Sequence, residues 1–340
     1  MLPEVSVIIP TYNRCLSLEK CLYSLLNQSF DKNAYQVVVV DDGSTDNTQE
    51  VINKFRFDKN ENLIYVRQEH GGTSSACNCG IKQASSNLLA FTEDDCILKA
   101  DWISQIVAFS RFYPDADAWG CMVINNFFDK NHGYNLQFED LQLAKRRKSR
   151  SMHKINVFGF VNVLAGNCAI RKKVFSDLGG FDTNFIYCED AEFTIRMLKY
   201  KYKVLINNDM IARHYITAKL PINVKKNFNF GVGNNLALRK HFDKKVILPF
   251  YDPENNKFLL RFPVMLFLHF GRKEVILAVF IFSAVLFPHV CVFLVVGGFL
   301  YYSLVFRNIK AAAFHMFFNA AVYLSESIGF LTGYLRVFKR

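Results

Sequence analysis

The sequence predicts an α/β fold, with helices flanking a mostly parallel sheet, followed by apolar C-terminal helices. Short β-branched runs alternate with helical periodicity in the first part of the chain, a pattern typical of parallel sheets with right-handed crossovers. Polar clusters follow several of these runs, and ligands bind at the carboxyl ends of strands in such sheets. Beyond residue 258 the chain is dominated by Phe, Leu, Val and Ala.

The first strand and helix are predicted within residues 5–26. Residues 5–10 form a β-branched run that ends at Pro10, a pattern of a buried strand. A polar turn follows at residues 11–14. A helix is then predicted from leucines at helical spacing, at positions 18, 22, 25 and 26.

Three more strands complete the predicted parallel half. They are expected at residues 35–40, 63–66 and 88–91, with helices at 48–55 and 74–84. The polar residues 11–14, 41–44 and 93–95 therefore follow three strand ends, and we expect them to meet in one crevice.

The acidic triplet Glu93, Asp94 and Asp95 indicates a cation site. Adjacent carboxylates repel one another, so a fold rarely brings three together without a counter-ion. Hard divalent ions such as Mg²⁺ or Mn²⁺ take oxygen ligands and bridge to substrate phosphates. The alternative is a solvated acidic turn after a strand.

The second half, residues 100–245, is predicted to meet the carboxyl end of the first half. A helix is expected to open at residues 101–103, and an irregular region lies near 125–155. After an apolar segment at 159–170, a further helix opens at Glu189 and Asp190. These two carboxylates could belong to a functional site. Alternatively, they only stabilise the positive end of the helix dipole.

Composition limits the partners and the compartment. The formal net charge is +11, and the densest basic cluster is residues 145–148 with Arg150. No nucleic-acid module accompanies it, so we expect no nucleic-acid partner and interpret it as a solvated or membrane-facing loop. The chain has nine cysteines without C-x-x-C spacing, which argues against structural zinc. Their odd number and the position of several in apolar runs favour free thiols in a reducing compartment. The N-terminus lacks a signal-peptide pattern, so the first domain is expected in the cytosol.

The C-terminal part predicts a membrane anchor. Residues 275–306 carry no charge, and as one helix they would rise about 48 Å against a hydrocarbon core of about 30 Å. Residues 311–335 form a second candidate span, with Glu326 as its single acidic residue. Two crossings are preferred; three crossings, or two buried helices in a soluble core, remain open. Basic residues on the flanks favour a multi-pass protein of the cell membrane, with its catalytic domain on the cytoplasmic side. The predicted domains are a catalytic domain at 1–245, a linker and interfacial segment at 246–273, and an anchor at 274–340.

These motifs resemble a known family. Residues 5–14, Val-Ser-Val-Ile-Ile-Pro-Thr-Tyr-Asn-Arg, and 40–46, Val-Asp-Asp-Gly-Ser-Thr-Asp, are similar to the opening of family 2 inverting glycosyltransferases with the Rossmann-like GT-A fold. Residues 72–80, 93–95 and 189–190 follow in the order of the family. The resemblance covers about residues 4–242. It implies a nucleotide-diphosphate sugar donor and a divalent cation, Mn²⁺ or Mg²⁺.

The resemblance also implies roles for single residues. Asp95 would bind the metal, with Glu93 and His214 as further ligands, and Asp190 would be the general base. Residues 77–80 read Cys-Asn-Cys-Gly where relatives carry Arg-Asn-x-Gly, so one basic contact to the donor is missing. The nucleotide-sugar site would be bordered by Pro10, Thr11, Tyr12, Arg14, Asp41, Asp42, Asn78 and Asp94.

The chemistry of transfer explains the need for a base. An acceptor hydroxyl is a poor nucleophile near neutral pH, and a carboxylate within hydrogen-bond reach can take its proton during attack on the anomeric carbon. One such displacement inverts that carbon. Residues 231–235, Gly-Val-Gly-Asn-Asn, resemble the glycine-bearing helix of relatives that add a single sugar, whereas processive synthases carry Gln-x-x-Arg-Trp.

The expected function is transfer of one sugar to a lipid-linked or cell-surface saccharide, as in cell-envelope polysaccharide biosynthesis. The expected partners are the donor, this acceptor and a lipid bilayer. Two alternatives stay open: transfer directly onto a polyprenyl phosphate, and a membrane protein that binds nucleotide sugars without turnover. Acceptor competition would separate the two enzymes. The presence of both Asp95 and Asp190 argues against the non-catalytic alternative.

Overall fold

The structure is a computed structural model that describes most of the N-terminal two-thirds of the chain. Residues 2–57, 62–120, 124–128, 166–207, 209–217 and 220–241 are described, with short pieces at 246–247, 251–252, 257–258, 261–262, 296, 317, 320–322, 324–329 and 332–333. The predicted irregular region and the predicted spans at 275–306 and 311–335 lie largely outside these residues. Within the described parts of the chain, the helices are all too short or too polar to cross a bilayer.

The chain divides into two compact units. The first comprises residues 1–126, 149–155 and 162–216, and the second comprises residues 127–148, 156–161 and 217–340. Every residue expected in the catalytic and binding site belongs to the first unit.

A seven-stranded sheet forms the centre of the first unit, in the order β3-β2-β1-β4-β8-β6-β9. β1 pairs in parallel with β2 and β4, and β2 pairs in parallel with β3. β8 runs antiparallel to both β4 and β6. The strands are β1 Val5–Thr11, β2 Tyr35–Asp41, β3 Leu63–Arg67, β4 Leu88–Thr92, β6 Ala118–Gly120, β8 Asn167–Arg171 and β9 Val204–Ile206.

Burial explains why the predicted strands are correct. Side chains of β1, β2 and β4 are buried on both faces, as continuous apolar runs require when helices cover both sides of a sheet. The helices are α1 Cys15–Leu26, α2 Thr48–Phe57, α3 Thr73–Gln83, α4 Trp102–Phe112, α5 Lys172–Leu178 and α6 Glu189–Lys199, with a 3₁₀ turn at Lys32–Ala34. The predicted α/β architecture with a mostly parallel sheet is therefore confirmed.

A second, three-stranded sheet continues the chain from the end of β4. It has the order β5-β10-β7, with β5 Cys96–Leu98, β7 Ile124–Phe128 and β10 Ala212–Thr217. β10 is antiparallel to β5, and His214 pairs with Cys96. This pairing carries His214 to the residue that follows the acidic triplet.

The second unit begins with a long helix, α7 Leu220–His241, which contains residues 231–235 as the sequence predicts. In the predicted linker the structure has short antiparallel pairs, β11 Val246–Ile247 with β14 Arg261–Phe262 and β12 Tyr251–Asp252 with β13 Lys257–Phe258. Ser325 Oγ donates to the Val224 carbonyl at 2.6 Å. A Cβ at Gly329 would overlap the Phe228 carbonyl, so this glycine allows the C-terminal helical residues to pack closely on α7.

The described cysteines are free thiols, as the odd number of cysteines and their positions in apolar runs predict. They are Cys15, Cys21, Cys77, Cys79, Cys96, Cys168 and Cys188.

Candidate active site

The end of β1 reaches the acidic triplet directly. The Thr11 hydroxyl donates to Asp94 Oδ2 at 2.8 Å. Arg14, which precedes α1, places Nη1 at 3.1 Å from Asp94 Oδ1 and 2.7 Å from Asp95 Oδ2. The strand ends of β1 and β4 therefore meet, as the parallel pairing of these strands predicts.

Glu93, Asp95 and His214 form a cluster that can hold a cation. His214 Nε2 lies 3.0 Å from Asp95 Oδ1 and 3.3 Å from Glu93 Oε2. One ligand atom from each residue lies within 4.8 Å of the others. Two carboxylates and one imidazole are a suitable donor set for a divalent ion, so the residues present fit the expected metal.

A glycine of positive φ shapes one side of this cluster. Gly166, just before β8, has φ 60°, and a Cβ there would lie 2.6 Å from Glu93 Oε1. A side chain at this position would displace the Glu93 carboxylate, because that carboxylate already fills the space. It would also be strained, because residues with a side chain rarely adopt this backbone conformation.

Asp94 is the most enclosed acid of the triplet. It is 4% exposed. Burial raises its pKa to about 6, and the nearby Asp95 charge adds to this effect, although Arg14 and the Thr11 hydroxyl oppose it. The repulsion expected between adjacent carboxylates is therefore present in the folded protein, even with Arg14 as a counter-ion.

The acids at the end of β2 have a different environment. Asp42 accepts hydrogen bonds from Gly71 N at 2.9 Å, Gly72 N at 2.8 Å and Gln68 Nε2 at 2.7 Å. His70 Nδ1 lies 2.8 Å from Asp42 Oδ2. A carboxylate has about four acceptor positions, so the loop at residues 68–72 uses essentially all of them.

Asp41 is likewise occupied by the protein. Its Oδ1 accepts from Ser44 N at 2.7 Å, and its Oδ2 accepts from the Tyr65 hydroxyl at 2.7 Å. It is 1% exposed. This arrangement stabilises the turn after β2, and the place of Asp41 beside the nucleotide sugar stays a prediction.

Tyr12 and His70 form an exposed aromatic pair beside Asp42. Their rings stack with centroids 4.1 Å apart and an interplanar angle of 22°. Pro10, in β1 two residues before Tyr12, pairs with Val40 of β2. Six of the residues expected to border the nucleotide sugar therefore lie at or just beyond the carboxyl ends of β1 and β2: Pro10, Thr11, Tyr12, Arg14, Asp41 and Asp42.

Asn78 has both of its amide groups bonded to one neighbour. Its Nδ2 donates to the Phe181 carbonyl at 2.8 Å, and its Oδ1 accepts from Phe181 N at 2.8 Å. These two bonds hold the α5–α6 connection on α3, and the contact of Asn78 with the donor stays a prediction.

Glu189 and Asp190 begin α6, as predicted. Asp190 Oδ1 accepts from Ala191 N at 2.7 Å, so part of the expected helix-terminus role is present. Burial, then the charge of Asp190 and that of Glu93, raise the pKa of Glu189. The charge of Glu93 thus adds to the negative potential at the start of α6.

An aromatic cluster joins the strand of the acidic triplet to α6. Phe91, in β4, lies 5.7 Å from both Phe175 and Phe181, measured between ring centroids. Phe193, in α6, stacks on Phe175 at 4.8 Å and lies 5.0 Å from Phe181. Both acidic groups therefore stand on elements packed in one core.

Sequence reasoning missed several residues of the site. Gln68 and His70 bind Asp42, Gly166 adjoins Glu93, and Arg196 donates to the Gly180 carbonyl of the α5–α6 connection. These contacts join residues that are at least 16 positions apart in the sequence, so spacing alone gave no signal for them. His70 next to two glycines was the only local hint.

Known proteins resemble this chain over most of its length. The family described as Glycosyl transferase family 2 matches residues 6–179. Glycosyltransferase AglE of Haloferax volcanii is 32% identical over 248 residues, which cover 71% of this chain and 78% of AglE. A Methanococcus voltae protein is 24% identical over 283 residues, with 72% and 78% covered, and is named dolichyl N-acetyl-alpha-D-glucosaminyl phosphate 3-beta-D-2,3-diacetamido-2,3-dideoxy-beta-D-glucuronosyltransferase.

A solved structure shares the fold. The mannosyltransferase PcManGT from Pyrobaculum calidifontis, in complex with GDP-Man and Mn²⁺, has a TM-score of 0.61 and 17% identity, covering 97% of this chain and 88% of that one. The sheet order, the clustered strand ends and the family match agree with one another. The chain belongs to glycosyl transferase family 2 and has the GT-A fold.

Proposed function

We propose that the protein transfers one sugar, with inversion, from a nucleotide-diphosphate sugar to a lipid-linked or cell-surface saccharide. The observation that carries this proposal is the cluster of Glu93, Asp95 and His214, together with the packing of α6 on β4 through Phe193, Phe181 and Phe91. A cation site and an independent carboxylate in one region are what this reaction needs.

Asp95, with Glu93 and His214, would hold the divalent ion. Mn²⁺ is the first candidate, because the ligand set mixes carboxylate oxygens with an imidazole nitrogen and the PcManGT complex contains Mn²⁺; Mg²⁺ is the second. When bound, the ion neutralises the charge that develops on the leaving diphosphate.

The donor would lie along the ends of β1 and β2. Tyr12 and His70 offer an exposed aromatic surface for the base, while Asp41 and Asp42 keep the surrounding turn and loop in place. Arg14, which is half exposed, would balance the charge between the acidic triplet and the diphosphate.

Asp190 would act as the general base. Its carboxylate would take the proton of the acceptor hydroxyl as the hydroxyl oxygen bonds to the anomeric carbon and the bond to the diphosphate breaks. A general base of this kind contributes about 10²- to 10⁴-fold to the rate. Attack from the face opposite the leaving group inverts the anomeric carbon.

The acceptor and the location belong to the same proposal. The uncharged segment at residues 275–306 supports a membrane anchor at 274–340, with the catalytic domain at 1–245 on the cytoplasmic side. The name of the Methanococcus voltae relative includes a dolichyl-linked sugar phosphate, which supports an amphiphilic acceptor for this chain.

A donor screen tests the proposal. Purified full-length protein with Mn²⁺ is offered a panel of nucleotide sugars and a lipid-linked saccharide or a polyprenyl phosphate, and nucleotide diphosphate release is measured. We expect one donor to be used, and Asp190→Asn to keep donor affinity while transfer falls by about 10²-fold or more. Equal turnover in Asp190→Asn would remove Asp190 from the role, and nucleotide binding without release in wild-type protein would favour a non-catalytic function.

A further inference from the structure

Arg196 lies at the centre of a buried hydrogen-bond network behind the start of α6. Its Nη1 donates to the Leu178 carbonyl at 2.9 Å, and its Nη2 donates to the Gly180 carbonyl at 2.7 Å. Nε donates to Glu192 Oε2 at 3.0 Å. One guanidinium thus connects the end of α5, the connection that follows it, and the first turn of α6.

The pairing of Arg196 with Glu192 is enclosed. The Glu192 side chain is fully buried and that of Arg196 is 14% exposed, and the guanidinium carbon lies 4.7 Å from the centroid of the Phe193 ring. A buried ion pair is a poor source of net stability, because both charges lose their hydration. Its fixed geometry, on the other hand, is well suited to set the position of a helix.

The α5–α6 connection, residues 179–188, is held at two further points. Asn78 binds both backbone groups of Phe181, and the Ser74 hydroxyl donates to the Phe185 carbonyl at 3.2 Å. Both of these residues lie on α3. Cys188 ends the connection with φ 65°, a left-handed conformation that is uncommon outside glycine and asparagine.

The connection before Asp190 is therefore hydrogen-bonded to neighbouring elements at Gly180, Phe181 and Phe185. Asn78 and Ser74 fix it to α3, while Arg196 fixes it to α6. Since α6 also packs through Phe193 on the aromatic cluster that contains Phe91 of β4, the network sets the distance between the base at the start of α6 and the acids that follow β4.

We propose that Arg196 is a positioning residue for the base Asp190: it holds the start of α6 at the distance from the cation cluster that transfer requires. This inference rests on the proposed function, in which Asp190 is the base. A misplacement of about 1 Å can cost about 10²-fold in rate, so loss of the network is expected to act on the chemical step and to leave donor binding unchanged.

Arg196→Lys is the main test. A lysine keeps a positive charge beside the buried Glu192, but its single nitrogen cannot replace the planar fork that reaches both carbonyls. We expect kcat to fall about 10- to 100-fold, with an unchanged KM for the donor and unchanged affinity for the nucleotide diphosphate with Mn²⁺. The protein concentration is corrected for the folded fraction by thermal unfolding.

A double variant separates positioning from stability. Glu192→Met with Arg196→Met replaces the ion pair by apolar side chains, a change that is often neutral or stabilising. We expect this protein to be folded with a Tm close to that of wild type, yet to show the same loss of kcat as Arg196→Lys. Arg111→Lys is the matched control, since Arg111 pairs with Glu4 on the surface, and its kcat is expected to stay unchanged.

Three outcomes decide the inference. A lower kcat at constant donor KM in both Arg196 variants supports it. A kcat per folded molecule equal to that of wild type, with only Tm changed, overturns it and leaves the proposed function intact. No sugar transfer by the wild-type protein with any donor, in spite of nucleotide binding, overturns both.

Discussion

Two pairs of aspartates lie at the same edge of the central sheet, and their surroundings differ. At the end of β2, the carboxylate oxygens of Asp41 and Asp42 accept hydrogen bonds from backbone and side-chain donors of the protein itself. At the end of β4, Asp94 and Asp95 share one guanidinium, and the pKa of Asp94 is raised to about 6.

This difference separates a scaffold from a ligand site. The β2 pair has its negative charge compensated within the fold, so it shapes the turn and the loop at residues 68–72. The β4 pair lies beside Glu93, and the burial of Asp94 and the charge of Asp95 raise the pKa of Asp94, a condition that a bound cation relieves. The same residue type at equivalent strand ends therefore performs two tasks.

The largest expected effect is on activity, from Asp95→Asn. Removing this carboxylate takes away a metal ligand, and the loss of metal assistance is expected to lower kcat/KM at least about 100-fold, since such assistance supplies several kcal/mol. Steady-state kinetics at saturating Mn²⁺ measure this. The free energy of unfolding should not fall, because a crowded negative charge is removed.

The same variant has a binding control. Wild-type protein should gain about 2.7 kcal/mol of stability at a Mn²⁺ concentration of 100 times Kd, and Asp95→Asn should gain much less. An equal Mn²⁺-dependent rise in Tm for both proteins would contradict the assignment of Asp95.

The second effect is on stability, from Asp42→Asn. An amide NH₂ would face the N–H group of Gly71 or Gly72, leaving a donor beside the buried Asp42 side chain without its acceptor and removing charge-assisted bonds, and we expect a loss of about 2–4 kcal/mol in the free energy of unfolding. Urea denaturation measures it. An Asp42→Asn protein as stable as wild type would mean that Asp42 does not hold the loop at residues 68–72 in place.

A third prediction concerns pH and Asp94. Its folded pKa of about 6 exceeds the reference value of 3.8, so the folded state binds more protons between these values. Stability from this group is therefore present below about pH 4 and is lost as pH rises through about 6, by up to about 3 kcal/mol. In urea denaturation, the free energy of unfolding of Asp94→Asn should rise relative to that of wild type between pH 4.5 and 7.5. A difference that does not change with pH would show that the pKa of Asp94 is not raised in the folded protein.

The smallest effect is expected at an exposed acid. Asp115 pairs with Lys203 on the surface, where solvent screens the attraction between the two charges. Asp115→Asn should leave activity unchanged and leave the urea concentration at the midpoint of unfolding almost unchanged. A loss of stability as large as that of Asp42→Asn would remove the contrast between buried and exposed aspartates.

The parallel half of the fold follows from the sequence because its signals are local. Continuous apolar runs such as residues 35–40 can be buried only as interior strands, and the polar residues after them are then brought to one edge. The sequence does not indicate that β8 inserts in antiparallel fashion beside β4, because that pairing depends on contacts across the region between residues 120 and 166.

The sequence indicated the acidic residues of the candidate site, but not the residues that hold them in position. Asp95, His214 and Asp190 stand on recognisable motifs, whereas the partners of Asp42 and the role of Arg196 depend on loops that meet only after folding. Asn78 is an example: its contact with the donor stays a prediction, whereas its two bonds to the backbone of Phe181 were not predicted. Short motifs identify residues that carry chemistry more readily than residues that hold them in position.

The central claim is that Asp95 and Asp190 serve one reaction centre. The most direct measurement is the anomalous scattering of Mn²⁺ in crystals of the protein with Mn²⁺ and the preferred nucleotide diphosphate. The account predicts a peak at Asp95 and His214, in contact with the diphosphate, and the Asp190 carboxylate facing the space beyond the diphosphate where the sugar and acceptor bind. A Mn²⁺ peak elsewhere, or an Asp190 carboxylate directed away from that space, would contradict it.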